Sequence, residues 1–207
     1  MINVYFCCDD FVTAAEKKFI RCGIETVSSL LPAVTPVNLS SLPWAKDSSL
    51  CGQTFLQGCN RENGQLDASK IIKKLIEGQR LLPSPGKTML ITASDLTMGS
   101  MSYCFGAGRI SGDGAVISVS RFRALSPAQE KHCVIRTMCH ELGHMLGMAS
   151  DSARKNTSVL HGTHCTVRRC FMRQTPNLTA LLNTAGEREC YCPLCLEDMK
   201  RNFSANP

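Results

Sequence analysis

Two hydrophobic periods alternate along the chain, and the switches between them outline a mixed architecture. Ile2 to Phe6 is an apolar run read as a buried strand, and Val12 to Ile20 carries lysines on one side as an amphipathic helix does. Leu31 to Trp44 holds three prolines and several serines, which predicts loop or irregular edge. From Asp67 to Leu82 the period is helical. Ile71, Ile72, Leu75 and Ile76 recur along one side, Lys70, Lys73 and Lys74 face water, and Asp67 is the predicted N-cap. Pro83-Ser84-Pro85-Gly86 closes that helix, and Met89 to Thr92 reads as a second buried strand. Ser102 to Phe105 and Ala115 to Arg121 are predicted strands on either side of a glycine-rich turn, Gly106 to Gly114. The second is apolar and β-branched enough to lie inside a sheet.

Ser126-Pro127-Ala128-Gln129 announces a further helix, with serine at the cap, proline in the first turn and glutamine at the capping-box position. It should run to about Leu146, with Ile135, Met138, Leu142 and Met145 as its buried stripe. His140 and His144 lie off that stripe, toward a cleft. Gly147 supplies the left-handed residue that ends the helix and turns the chain. Strands interleaved with helices give an α/β (α+β) class.

The chain has 207 residues, 43% of them apolar and 19% charged, as in a soluble globular protein with one core. No stretch approaches the roughly 20 apolar residues that cross a bilayer, so no membrane partner is expected. The start, Met1 to Asp10, has no basic n-region or long apolar h-region, which excludes a secretory signal and predicts a cytoplasmic protein. Thirteen cysteines without an export signal fit a reducing compartment, with some thiols binding metal and others, such as Cys22 or Cys133, packing as small apolar groups. The net charge of +6 is spread over short clusters such as Lys73-Lys74 and Arg168-Arg169, which reads as a solvated basic face. A nucleic-acid partner is not expected, because aromatic stacking residues are scarce. A monomer is expected.

The chemistry concentrates in His140-Glu141-Leu142-Gly143-His144-Met145-Leu146-Gly147, an HExxHxxG motif on the last predicted helix. Histidines one turn apart project from one face and can grip one metal ion, and the glutamate between them points toward the water that ion carries. This is the core of a zinc peptidase. A catalytic zinc needs three protein ligands and an open position, so one ligand must come from beyond Gly147. Asp151, His161 and His164 are the candidates from the residues alone.

Downstream stand Cys165, Cys170 and Met172 in a CxxxxCxM arrangement, and later Cys192-Pro193-Leu194-Cys195. With the His164-Cys165 pair ahead of them, the chain resembles the archaemetzincins, whose motif joins HExxHxxG to a third zinc-binding histidine followed directly by CxxxxCxM and then CxxC. Gln65 to Ala68, the strand from Ile91 leading into Asp95-Leu96, Phe105-Gly106 and the Ala115 to Arg121 strand also look like the family. The resemblance covers about the last two thirds of the chain.

The resemblance implies a metzincin-like fold: a twisted mixed sheet, an active-site helix and a zinc-stapled C-terminal helical part. It implies a single metallopeptidase domain, residues 1–147 forming the part with sheet and active-site helix and 148–207 the part with third ligand, methionine turn and thiolate site. It makes His140, His144 and His164 ligands of a catalytic zinc and Glu141 the general base that activates the zinc-bound water. Cys165, Cys170, Cys192 and Cys195 become the ligands of a second, structural zinc, and Met172 the methionine beneath the catalytic metal. Two Zn2+ per chain, a peptide or protein substrate, and peptide hydrolysis follow. The Ala115 to Arg121 region becomes the rim along which a substrate could add as an extended strand.

Two departures stand out. The family has two residues between the glycine and the third ligand, whereas sixteen, Met148 to Thr163, intervene here, and Ser150 occupies the usual ligand position. A surface insertion costs little closure entropy and can return the chain to the same place. Asp151 is the fallback ligand. The gap from Met172 to the CxxC is also two residues longer, which makes Cys190 a spare thiol. A displaced third ligand would give the alternative reading, a zinc-stabilised binding protein with weak or no peptidase activity.

Overall fold

The computed structural model describes residues 1–38, 56, 58–159, 162–186 and 190–205. Strand β1 (Ile2–Cys8) leads into α1 (Ala14–Leu30) and β2 (Val34–Asn38), and the short β3 (Leu66–Asp67) runs into α2 (Ala68–Gly78). β4 (Gly86–Thr92), β5 (Leu96–Thr97), β6 (Gly106–Gly108) and β7 (Gly114–Ser118) follow, then α3 (Pro127–Met145). The C-terminal part holds β8 (Thr157–Ser158), β9 (His164–Cys165), α4 (Leu178–Leu182) and α5 (Pro193–Ala205). No helix among the described residues is long and apolar enough to cross a membrane.

The main sheet has the order β2-β1-β4-β7-β6, parallel except for β6, which is antiparallel to β7. Its faces follow the period-2 rule. Val4, Phe6, Met89, Ile91, Ala115 and Ile117 point to the core shared with α1 and α3, while Cys7, Leu90 and Val116 point to a second core with Ile71 and Leu75 of α2. The first core continues through Met172, Tyr191, Cys195 and Met199, so the C-terminal part packs on α3 without a break.

Several elements differ from the sequence reading. Within the predicted loop after Leu31, Val34–Asn38 is the strand at one end of the described sheet, paired with β1; an edge position tolerates Pro36 because a ladder bond on the outer side is not required. The rest of that reading, up to Trp44, lies outside the described residues. α1 extends ten residues beyond Ile20. Its polar end is held by packing of Val27 in the core, and the hydroxyls of Thr26 and Ser28 donate back to the carbonyls of Cys22 and Ile24. Ser102 to Phe105 is not a strand; Cys104 makes one bridge to Leu96, and the edge strand comes instead from the first glycines of the predicted turn. The strand expected to reach Arg121 stops at Ser118, before a 3-10 turn over Ser120–Phe122.

Candidate active site and thiolate centre

α3 is capped as its sequence demands. Ser126 accepts from the Gln129 amide, the Gln129 side chain returns to Ser126, and Pro127 sits in the first turn. At the other end Gly147 has φ +78°, its amide donates to the His144 carbonyl, and the Met148 amide donates to Gly143, a Schellman closure. Asn202 of α5 donates to the Gly147 carbonyl and to Ser150 Oγ, fixing the exit of the chain.

The insertion then returns to the site. Residues Thr157–Ser158 pair antiparallel with His164–Cys165, Ser158 opposite His164, so a two-stranded hairpin presents His164 to α3. Each of His140, His144 and His164 offers a nitrogen within 4.8 Å of the others. The His140 and His144 Nε2 atoms are 3.2 Å apart. His161 lies outside the described residues. Asp151 points elsewhere, accepting from the Ala153 amide and facing Arg201 at 3.7 Å.

The three imidazoles suit a cation. His140 Nδ1 is 2.7 Å from the Phe171 carbonyl and His164 Nδ1 is 3.2 Å from the Gly162 carbonyl, so each Nδ1–H has an acceptor and Nε2 keeps its lone pair. Burial, then the neighbouring histidines, pushes the His140 pKa well down, and burial with His164 lowers His144 to about 3. The rings are held neutral, and His144, whose buried Nδ1 has no hydrogen-bond partner among the described residues, turns its Nε2 toward that of His140. A tetrahedral zinc with Zn–N of about 2.05 Å has N···N edges of about 3.3 Å, which matches the His140–His144 spacing.

Glu141 is buried beside this triad, and burial alone lifts its carboxyl to about 8, a shift that a divalent cation held by the three histidines would oppose in favour of the carboxylate. Its room is made by β6. A Cβ on Gly106 would stand 2.8 Å from Glu141 Cγ, and one on Gly108 2.8 Å from the Glu141 carbonyl oxygen. The cleft is a cavity of about 230 Å³ whose lining includes Met98, Tyr103, Phe105, Thr175, Pro176 and Leu181. Among the described residues, β6 is the last strand at this end of the sheet. The expected rim, β7, is paired on both sides with β4 and β6 and has no free edge to offer.

Cys165, Cys170, Cys192 and Cys195 form a second, buried group whose sulfurs all lie within 4.8 Å. Cys165–Cys192 and Cys170–Cys195 are each 3.7 Å apart, far beyond a disulfide of about 2.05 Å and close to the S···S edge of about 3.8 Å in a zinc tetrathiolate. Hydrogen bonds from Cys170 and Cys195 hold the Cys165 pKa low, and the hydrogen bond to Cys165 pushes Cys170 up to about 12. Cys190 is exposed and outside the group, while its backbone pairs with Cys170. Cys133 packs in the core; Cys22 is half-buried.

The two groups interlock. Cys165 follows His164, Phe171 follows Cys170 and accepts from His140, and Tyr191 precedes Cys192 and donates to the Cys139 carbonyl at 2.7 Å. Met172 is fully buried under α3, and Gly143 admits it: a Cβ there would meet Met172 Sδ at 2.1 Å. Sequence reasoning missed the roles of Gly106, Gly108, Gly143 and Tyr191. A Gly-x-Gly pair was the visible signal for the first two, but it read as a turn.

No family model matches the chain. In sequence it is similar to the archaemetzincin of Methanopyrus kandleri, 29% identical over 113 residues, which is 55% of each chain. It is also similar to that of Archaeoglobus fulgidus, 26% identical over 60% of this chain and 69% of the relative. The match thus spans little more than half the length of the first relative. In fold it is similar to the Methanopyrus kandleri archaemetzincin, with a TM-score of 0.72 at 21% identity, covering 98% of this chain and 96% of that one. A zinc-dependent peptidase from Methanocorpusculum labreanum aligns with a TM-score of 0.70 at 20% identity, over 95% of this chain and 99% of that one. The α/β fold with a mixed sheet is therefore borne out, and so is the resemblance to the archaemetzincin family.

Proposed function

We infer from the archaemetzincin likeness, supported by sequence and fold together, that the chain is a zinc-dependent metallopeptidase acting on peptide or protein substrates. The observation that carries the reading is the convergence of His140, His144 and His164 beside a buried Glu141 in an open cleft. His140, His144 and His164 would hold the catalytic zinc, and Cys165, Cys170, Cys192 and Cys195 a structural one. The catalytic zinc supplies a Lewis acid that polarises a carbonyl and makes water acidic near neutral pH.

The chain's own groups do the rest. Glu141, pinned against Gly106 and Gly108, takes the proton from the attacking water and passes it to the leaving amine. Among the described residues β6 has a strand partner on one side only, and its other edge, beside that carboxylate, is where an extended peptide adds by main-chain hydrogen bonds. Phe171 and Gly162 hold two imidazoles in orientation through their carbonyls. The thiolate group, closed and buried, fixes the segment on which His164 and Phe171 stand.

Zinc content and cleavage of a peptide library, measured together on the native chain and Glu141→Ala, test this reading. Two zincs in both proteins, with cleavage by the native chain alone, is the expected result. Equal cleavage by both would exclude Glu141 as the base, and fewer than two zincs in the native chain would exclude the ligand sets.

A further inference from the structure

The insertion carries an arginine, Arg154, whose side chain is only 7% exposed, which needs a reason. Each guanidinium nitrogen of Arg154 has its own partner, two of them on α5 and one on β8. Nη1 is 2.6 Å from Asp198 Oδ2 in α5, Nη2 is 3.5 Å from the Cys195 sulfur, and Nε is 3.1 Å from Thr157 Oγ1 at the start of β8. Asp198 is itself fully buried. The next residues continue the attachment: Asn156 donates to the Cys165 sulfur at 3.6 Å and its carbonyl accepts from the Thr166 amide.

We propose that Arg154 is a positioning residue, which clamps the insertion to the thiolate centre so that the β8–β9 hairpin presents His164 to the other two histidines. A sixteen-residue excursion has many ways to return, and an unanchored hairpin would spread His164 over several positions. Arg154 removes that freedom at one point. It grips Thr157, the residue opposite Cys165 in the hairpin, and ties it to α5 through Asp198 and to the cluster through Cys195. Charge favours the same arrangement. Four thiolates around a divalent cation carry a net charge of −2, and a permanently charged guanidinium with a planar fork can meet sulfur and carboxylate together. A lysine can reach only one of these partners at a time. The inference rests on the reading of His164 as a ligand.

Cobalt substitution of the full chain tests it, because sulfur-to-cobalt charge-transfer absorption reports the thiolate site separately from the histidine site. Zinc competition with a chromogenic chelator then gives the affinity of each. In Arg154→Met the four sulfurs still close their site, so the thiolate absorption should persist with some loss of affinity from the missing Cys195 hydrogen bond, while the histidine site should weaken by about 10-fold or more as His164 loses its fixed position. Arg154→Lys should fall between Met and native. Histidine-site affinity within twofold of native in Arg154→Met would overturn the proposal. So would loss of both sites in Met and Lys variants alike, which would make Arg154 a general determinant of folding. Failure of the underlying ligand reading shows separately, as a His164→Ala chain that binds two zincs like the native one.

Discussion

The Nδ1 atom of His140 lies 2.7 Å from the carbonyl oxygen of Phe171, and Phe171 stands between Cys170 and Met172. One hydrogen bond therefore connects the first histidine of the proposed catalytic site to the chain that carries the thiolate centre. With His164 next to Cys165 and Tyr191 next to Cys192, the histidine site depends on the geometry of the sulfur site. The reverse dependence is weaker, since no cysteine ligand stands on α3.

Cys170→Ser should therefore damage both sites. A structural zinc contributes folding free energy directly, and losing even about 3 kcal/mol from a chain of this size lowers Tm by roughly 10 °C. The measurement is zinc per chain with thermal unfolding; one zinc retained at an unchanged Tm would show the sites to be independent.

Gly143→Ala should destabilise by about 1–3 kcal/mol, because the new methyl overlaps Met172 Sδ in a closed core. Adding Met172→Ala opens that space, so the double variant should be more stable than the sum of the two losses. Urea unfolding of the four proteins gives the coupling. Strict additivity would mean that the two residues do not meet.

Gly106→Ala should act on Glu141 rather than on the metal ligands. Its methyl would stand 2.9 Å from Glu141 Oε1, and a displacement of about 1 Å at a reacting group costs on the order of 100-fold in rate. Cleavage rate should fall while zinc content stays at the native level. Loss of zinc with unchanged cleavage by the remaining holoprotein would contradict the placement of Gly106.

Glu16 provides a prediction about pH. It caps α1 through Thr13 and pairs with Arg123 at 2.7 Å. Burial raises its pKa, but the hydrogen bonds from Arg123 and Thr13 outweigh burial and leave it below the ordinary 4.5. A lowered carboxylate stabilises the fold above its unfolded value, and the contribution fades as pH falls through the folded value. Native chain should exceed Glu16→Gln by about 1 kcal/mol near pH 7, and the gap should close below pH 4.5. A gap that is constant with pH would place its origin elsewhere.

Much of this arrangement was legible in the residues, and what was not has physical reasons. Capping chemistry located both ends of α3, because Ser126, Gln129 and Gly147 act locally. The histidine and cysteine groups could be read from motif spacing and family resemblance. β6 could not, because glycine has low strand propensity, and its role follows from the approach of Glu141 from a distant helix. Pro36 misled in the same way, since only sheet order reveals an edge. The return of His164 after the insertion depends on a hairpin pairing and on Arg154 meeting Asp198, 44 residues away in sequence, a contact that no local pattern announces.

Hydrolysis of a peptide bond at the histidine site is the central claim, and oxygen-18 transfer measures it directly. Zinc-loaded chain is incubated with a peptide library in heavy-oxygen water, and the products are weighed by mass spectrometry beside Glu141→Gln with equal zinc content. The account predicts new carboxyl termini carrying one heavy oxygen in the native digest and none above background in the variant. Equal labelled products from both, or products without the heavy oxygen, would contradict it.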